Sequence, residues 1–203
     1  MKVLMINGSP RKEGNTALAL AEMEKIFTAR GIEVEIIQIG GEIIRGCIGC
    51  SYCYKNGKCV TDDLVNEVAE KLREADGFVV GSPVYYSSPN GTLISFLDRL
   101  FYSSKFPKNM KVGAAVCAAR RGGLATTFDV LNKYFSISGM PIASSSYWND
   151  VHGRKVGDAA NDLEGMQTMR NLAENMAFLM KSIALGKEKF GIPEMEKKIY
   201  TNL

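Results

Sequence analysis

Lys2-Val3-Leu4-Met5-Ile6-Asn7-Gly8-Ser9-Pro10-Arg11-Lys12-Glu13-Gly14-Asn15-Thr16 is the stretch that decides the architecture. Its first half, residues 2–6, is nearly unbroken apolar sequence, as expected of a strand covered on both faces. From Thr16 the period changes to that of a helix. Leu20, Met23 and Phe27 fall on one face, and Gly31 after Arg30 is a stop signal. Between strand and helix lies a polar, glycine-containing turn. A helix N-terminus there offers unpaired N–H groups and a positive dipole end to an anion. Ser9, Asn15 and Thr16 add hydroxyl and amide donors, and Arg11 adds a charge-assisted one, a set suited to a phosphate monoester. The turn lacks both the Gly-x-Gly-x-x-Gly spacing of dinucleotide folds and the Gly-Lys-Ser/Thr ending of triphosphatase loops. The competing interpretation is a polar turn that only caps a helix.

Working outward, strand and helix alternate. Residues 32–39 set Val34 and Ile36 between Glu33, Glu35 and Gln38, the pattern of a less buried strand at a sheet edge. A cysteine-rich loop at 46–60 follows. Thr61-Asp62-Asp63 then starts a helix with Leu64, Val68, Leu72 and Ala75 as its apolar face. Gly77–Gly81 predicts a buried strand, 91–103 a helix, and Lys111–Cys117 a further strand, with Gly122-Gly123 opening the next helix. Residues 141–148 are expected to form the other edge strand. A long helix carries Met166, Met169, Leu172, Met176, Leu179 and Ile183 on one face, before a charged tail from about 187 that is either loosely ordered or packed on a partner. The expectation is one α/β domain over residues 1–203. Its five-stranded, doubly wound parallel sheet carries helices on both faces and right-handed crossovers.

In such a sheet, ligands bind outside the carboxyl ends of the strands, where strand order reverses. The loops that should flank that crevice are Pro83-Val84-Tyr85-Tyr86-Ser87-Ser88, running on through Pro89-Asn90, and Ala118-Ala119-Arg120-Arg121-Gly122-Gly123. The first can present backbone groups and aromatic surface to a flat polar ring. The second is cationic and glycine-rich, able to approach a pyrimidine edge closely. Taken singly, Tyr85 and Tyr86 could be ordinary packing, and Arg120 and Arg121 a solvated turn. Together with the first loop they make three polar loops at one end of the sheet.

Composition narrows the function classes. The chain has 203 residues, 46% hydrophobic and 23% charged, with a formal net charge of +3, which gives no reason to invoke nucleic acid. No apolar stretch reaches bilayer-spanning length, and Met1-Lys2 leads straight into a short apolar run unlike a signal peptide, so a cytoplasmic protein is expected. The one histidine, His152, and the lack of a Gly-x-Ser-x-Gly elbow argue against a Ser-His-Asp hydrolase. His152 is expected in a loop or interface, and Trp148 and the methionines of the last helix in the core or a dimer contact.

Four of the five cysteines, Cys47, Cys50, Cys53 and Cys59, share one loop with Gly46, Gly49 and Gly57. In a reducing compartment, clustered cysteines more often bind metal or do redox chemistry than form structural disulfides. Consecutive Cys-x2-Cys steps are how a loop wraps a [4Fe–4S] cubane, although the last interval of five residues departs from the bacterial ferredoxin run. Bare thiols or a redox disulfide remain open, as does zinc, which more usually takes two separated pairs. Cys117, inside a strand, is expected to be a small buried hydrophobe.

Gly8-Ser9-Pro10-Arg11 with Asn15-Thr16, Gly81-Ser82-Pro83-Val84-Tyr85 and Leu97-Asp98-Arg99 resemble the NADPH-dependent FMN reductase branch of the flavodoxin-like superfamily. The cysteine spacing, Asp62-Asp63 and Gly165-Met166-Gln167-Thr168 resemble its iron–sulfur flavoproteins. The resemblance runs to about residue 185. It implies strand order 2-1-3-4-5 and FMN, with Ser9, Arg11, Asn15 and Thr16 on the phosphate. Pro83, Val84, Tyr85, Tyr86, Ser87 and Ser88 would line the isoalloxazine, and Arg120, Arg121, Gly122 and Gly123 would sit at its far side. It also implies NAD(P)H as electron donor and a homodimer or homotetramer. The acceptor would be a quinone, nitro or azo compound or free flavin, or a redox protein reached through the cluster. The competing function is an FMN-binding electron carrier or redox-sensing module, and a more distant one a phosphate-binding hydrolase.

Overall fold

The computed structural model describes residues 1–197 and 199–201. Strand β1 (Lys2–Asn7) is an inner strand of the sheet, with β2 (Glu33–Gln38) on one side and β3 (Gly77–Tyr85) on the other, both parallel to it. A two-residue strand, β4 (Ser88–Pro89), folds back antiparallel on the end of β3. Strand β5 (Val112–Ala119) runs parallel to β3, and β6 (Asp150–His152) parallel to β5. The helices are α1 (Asn15–Ala29), α2 (Tyr52–Asn56), α3 (Leu64–Glu74), α4 (Gly91–Ser103), α5 (Leu124–Ile137) and α6 (Leu163–Phe190), with a 3-10 turn at Asp158–Asn161.

Helices cover both faces because β1 alternates its apolar side chains between two cores. Val3 and Met5 join the cluster under α1 and α6, with Leu20, Met23, Phe27, Met169 and Met176. Leu4 and Ile6 join the one under α3, α4 and α5, with Val68, Leu72, Phe96, Leu131 and Phe135. A strand buried on both sides must be apolar throughout, which is why this one was visible in the sequence.

The α/β doubly wound architecture is present, and the expected sheet is corrected in detail. It has six strands, ordered β2-β1-β3-β5-β6 with β4 beside β3, rather than five in the order 2-1-3-4-5. The extra strand exists because the chain after Tyr85 reverses through Tyr86 and Ser87, both at positive φ (50° and 59°), pairing Tyr85 with Ser88. Positive φ at both central residues is the twist a two-residue hairpin requires. Residues 141–148 form no strand. Ile142 makes a single bridge to Gly113, the chain then leaves the edge through exposed Ser144, Ser146, Tyr147 and Trp148, and it returns as β6, where Val151 is buried. Trp148 is therefore on the surface, its ring tilted at 52° against that of Tyr147 with 5.3 Å between centroids.

Two helices also differ from expectation. α3 buries Val65 and Ala69 with Val68 and Leu72, and leaves Leu64 half-buried, because Asp63 accepts the Val65 N–H as its N-cap and sets the helix's rotation. α2 lies inside the cysteine loop. The tail expected from about 187 begins as the last turn of α6, and its residues 198, 202 and 203 lie outside the described residues.

Candidate functional site

At the carboxyl ends of β1, β3 and β5 the chain encloses a cavity of about 180 Å³ lined by Ser9, Arg11, Thr16, Tyr85, Arg120 and Arg154, among others. The first loop is held from below. Asn7 Oδ1 accepts the Ser9 N–H at 3.1 Å, Ser9 Oγ accepts the Arg11 N–H at 3.2 Å, and the Gln38 amide donates to the Ser9 carbonyl. Gly40 abuts this loop so closely that a Cβ would sit 2.2 Å from the Ser9 backbone, so only glycine fits. No side chain caps α1, and its first turn holds no acidic residue, so its N–H groups stay available to an anion.

Not every expected donor faces the cavity with a free polar group. Both polar atoms of Asn15 are engaged: Nδ2 donates to the Lys155 carbonyl at 3.0 Å, and Oδ1 accepts the Ala159 N–H at 3.1 Å. Asn15 lines the cavity and also fastens the segment after β6 across its edge. Gly153 and Arg154 thereby join the lining, which the sequence reading missed because it placed the edge strand at 141–148. A Gly-Arg-Lys turn directly after a correctly placed β6 would have been the signal.

The second and third loops hold each other. Pro83, Val84 and Tyr85 line the cavity, while Tyr86, Ser87 and Ser88 form the exposed hairpin beyond them. Thr126 Oγ1 donates to the Ser87 carbonyl at 2.9 Å, and Gly123, at φ 87°, lies where a Cβ would fall 2.8 Å from Ser87 Oγ. Arg120 lines the cavity, whereas Arg121 and Gly122 are exposed outside its wall. Arg11, Lys12, Arg120, Arg121, Arg154 and Lys155 are all exposed around this end of the sheet, an electropositive surround for an anionic ligand. A larger groove of about 710 Å³ runs between α1 and α6, but it lies along the helices, and its Glu22 is already paired with Lys25 and Arg170.

His152 ends β6, its Nδ1 3.5 Å from Asp162 Oδ2, in a separate hollow with Asp150 and Glu164. Burial, reinforced by Asp162 and Glu164 and opposed by His152, raises the pKa of Asp150.

The four loop cysteines line one small cavity together with Thr61, Arg99, Tyr102 and Ser103. None is in a disulfide, and Cys117 lies apart in β5, where burial pushes its thiol pKa far up. Among the described residues no three His, Cys, Asp or Glu converge closely enough to hold a single metal ion. Arg99 is 2% exposed and sits at the centre of this region. Its fork donates to both carboxylate oxygens of Asp63 at 2.7 and 2.8 Å, and its Nε and Nη2 each lie 3.3 Å from Cys59 Sγ. Burial works against its charge, but the bonds to Asp63 and Cys59 outweigh that and leave its pKa raised. Ser103 Oγ, buried in the same cavity wall, has no hydrogen-bond partner. The sequence pointed to Arg99 only through the Leu97-Asp98-Arg99 resemblance; its proximity to Cys59 is a tertiary fact.

The family profile described as NADPH-dependent FMN reductase matches residues 1–155. An iron–sulfur flavoprotein of Methanocaldococcus jannaschii is 38% identical over 191 residues, covering 90% of this chain and 99% of that protein. Among solved structures, RosB with a bound 8-demethyl-8-formylriboflavin-5'-phosphate intermediate superposes with a TM-score of 0.75 at 15% identity, covering all of this chain and 93% of that one. An archaeal flavodoxin gives 0.60 at 18% identity over 89% of this chain and 99% of that one, which makes the fold flavodoxin-like. A profile that spans all three loops, with a relative 38% identical along nearly its whole length, places the chain in the NADPH-dependent FMN reductase family of flavoproteins, with iron–sulfur flavoproteins among its relatives.

Proposed function

We propose that the chain is an FMN-dependent oxidoreductase that takes electrons from NAD(P)H. It passes them to a small acceptor such as a quinone, a nitro or azo compound or free flavin, or to a redox protein through a [4Fe–4S] cluster on Cys47, Cys50, Cys53 and Cys59. The observation that carries the proposal is the convergence of Ser9, Arg11, Thr16, Pro83–Tyr85 and Arg120 on one cavity at the strand ends. FMN, when bound, supplies the hydride and single-electron chemistry, and the protein supplies placement and electrostatics. Ser9, Arg11, Thr16 and the α1 N–H groups would hold the FMN phosphate, and Asn15 fastens the 153–159 segment beside them. Pro83, Val84, Tyr85 and Arg120, the parts of the second and third loops that line the cavity, would flank the ring. No side chain is required as a general acid or base.

The cysteine cavity suits a cluster in its chemistry. Its donor set is four thiols, and the orphaned Ser103 hydroxyl in its wall is open to an acceptor. Each thiolate of a cubane binds its own iron, so the sulfurs need not meet at one point. Five free cysteines accord with a reducing cytoplasm. The exposed apolar side chains Leu163, Phe178, Leu185 and Phe190 on α6 favour a homodimer or homotetramer.

Anaerobic purification with a visible spectrum, iron and sulfide assays, and addition of NADPH tests the whole proposal. The expected result is flavin absorbance with about four irons per chain, bleached by NADPH within seconds. Cys59→Ala should lose the iron and keep the flavin. Flavin without bleaching would instead identify an electron carrier, flavin without iron would leave the cysteines as thiols, and no flavin after adding FMN would overturn the proposal.

A further inference from the structure

We infer that Arg99 is a positioning residue for the cysteine site, holding Cys59 by its sulfur and, where that site carries a cluster, setting the cluster's reduction potential in opposition to Asp63. The inference rests on the cluster proposed above and concerns residues of this chain alone.

Arg99 spends more of its hydrogen bonding on this loop than packing requires. Besides Asp63, its Nη1 donates to the Arg45 carbonyl at 3.4 Å and its Nη2 to the Thr61 carbonyl at 3.3 Å. One guanidinium thus ties together the strand of chain before Cys47, Cys59 itself and the chain after it. Asn66 adds a second tie, accepting the Cys59 N–H at 2.9 Å and donating to the Cys59 carbonyl at 3.1 Å. Cys59, separated from Cys53 by five residues, is the cysteine that most needs such fixing.

The chemistry of the contact points the same way. A buried guanidinium survives only if it is paired, and Asp63 satisfies one edge of the fork. The other edge, Nε and Nη2, is aimed at Cys59 Sγ. A neutral thiol is a weak acceptor, whereas a metal-bound thiolate is a strong one, so the donor pair is matched to a ligating sulfur. Hydrogen bonds and positive charge at a ligand sulfur favour the more negative, reduced state of a cluster, and a nearby carboxylate disfavours it. Arg99 should therefore raise the potential, and Asp63 should restrain it.

Two variants carry opposite predictions. Arg99→Lys keeps a buried cation but removes the planar two-donor fork, and the cluster potential should move to a more negative value. Asp63→Asn keeps Oδ1, which caps α3 at Val65, 3.1 Å away, and accepts from Arg99 Nη2, and it removes the carboxylate charge together with the Nη1 bond, so in the iron-loaded variant the potential should move to a more positive value. The measurement is an anaerobic spectroelectrochemical titration of the purified holoprotein, with iron per chain, FMN content and circular dichroism recorded on each sample. The flavin's own potential, read in the same titration, should stay unchanged and is the control against general disruption. Loss of iron from Arg99→Lys with FMN and dichroism intact would support the positioning role, and Asp63→Asn would then decide the potential. Both variants fully loaded with unmoved cluster potentials would overturn the inference while leaving the cluster intact. A wild-type protein that takes up no iron overturns the cluster itself, and this inference with it.

Discussion

Arg154 shows how much a single residue's role can depend on an element placed elsewhere. It lines the cavity at the strand ends because Asn15 and the Gly153 N–H, which donates to the Ala119 carbonyl at 2.9 Å, pin the segment after β6. Arg154→Gln should weaken FMN binding about tenfold, the scale of one charge-assisted hydrogen bond. Riboflavin, which has no phosphate, should bind as before; equal weakening of both would place Arg154 away from the phosphate. At the opposite end of the sheet, Lys108 is buried, its Nζ donating to the Ser104 carbonyl at 2.7 Å and lying 4.5 Å from the centre of the Phe106 ring. Burial, then Lys105, Arg73 and Lys111, lower its pKa from 10.5 to about 8. Between those two pH values the unfolded chain keeps the proton that the fold has released, so this group's contribution to stability grows as pH rises through that window and is lost as pH falls through about 8. Denaturant titrations across the window should show Lys108→Met flattening the rise by on the order of 1 kcal/mol. A parallel rise in both proteins would rule Lys108 out as its source. Neither residue was legible in the sequence, because a buried lysine and a solvated one are spelled alike.

Among the elements, the hairpin at Tyr85–Ser88 holds a conformation its residues do not favour. Tyr86 is fully exposed, and both it and Ser87 sit at positive φ, the region preferred by Asn and Gly. Strain of this kind persists where the surroundings over-determine it, here through Thr126 and Gly123. Tyr86→Asn with Ser87→Gly should stabilise the apoprotein by about 1 kcal/mol, measured by thermal melting. A lower melting temperature would mean that the side chains, not the turn, hold the hairpin. The sequence marked this loop as polar and aromatic but did not show the reversal, since neither residue is a recognised hairpin signal. The edge strand was misplaced for a related reason. Edge positions need few apolar residues, and Pro141–Ala143 is as apolar as Val151, so only the backbone partners on β5 decide between them.

At the scale of the whole molecule, α6 is 28 residues long, about 42 Å at 1.5 Å per residue, and its outer end leaves Phe178 72% and Leu185 67% exposed. Light scattering should find an oligomer, and Phe178→Glu with Leu185→Glu should shift it towards monomer with the flavin retained. A monomeric wild type would remove oligomerisation from the proposed function. The sequence by itself determined the alternation of strands and helices, the apolar strands covered on both faces and the loops that crowd one end of the sheet. Those follow from the period of apolar side chains and from turn chemistry, both of which act along the chain. Tertiary structure alone decided that Asn15 holds the loop bearing Arg154, that β6 begins at Asp150, and that Arg99 reaches the sulfur of Cys59. Each is a contact between residues distant in sequence. Its partner is chosen by how the packed elements meet, and no local pattern encodes that choice.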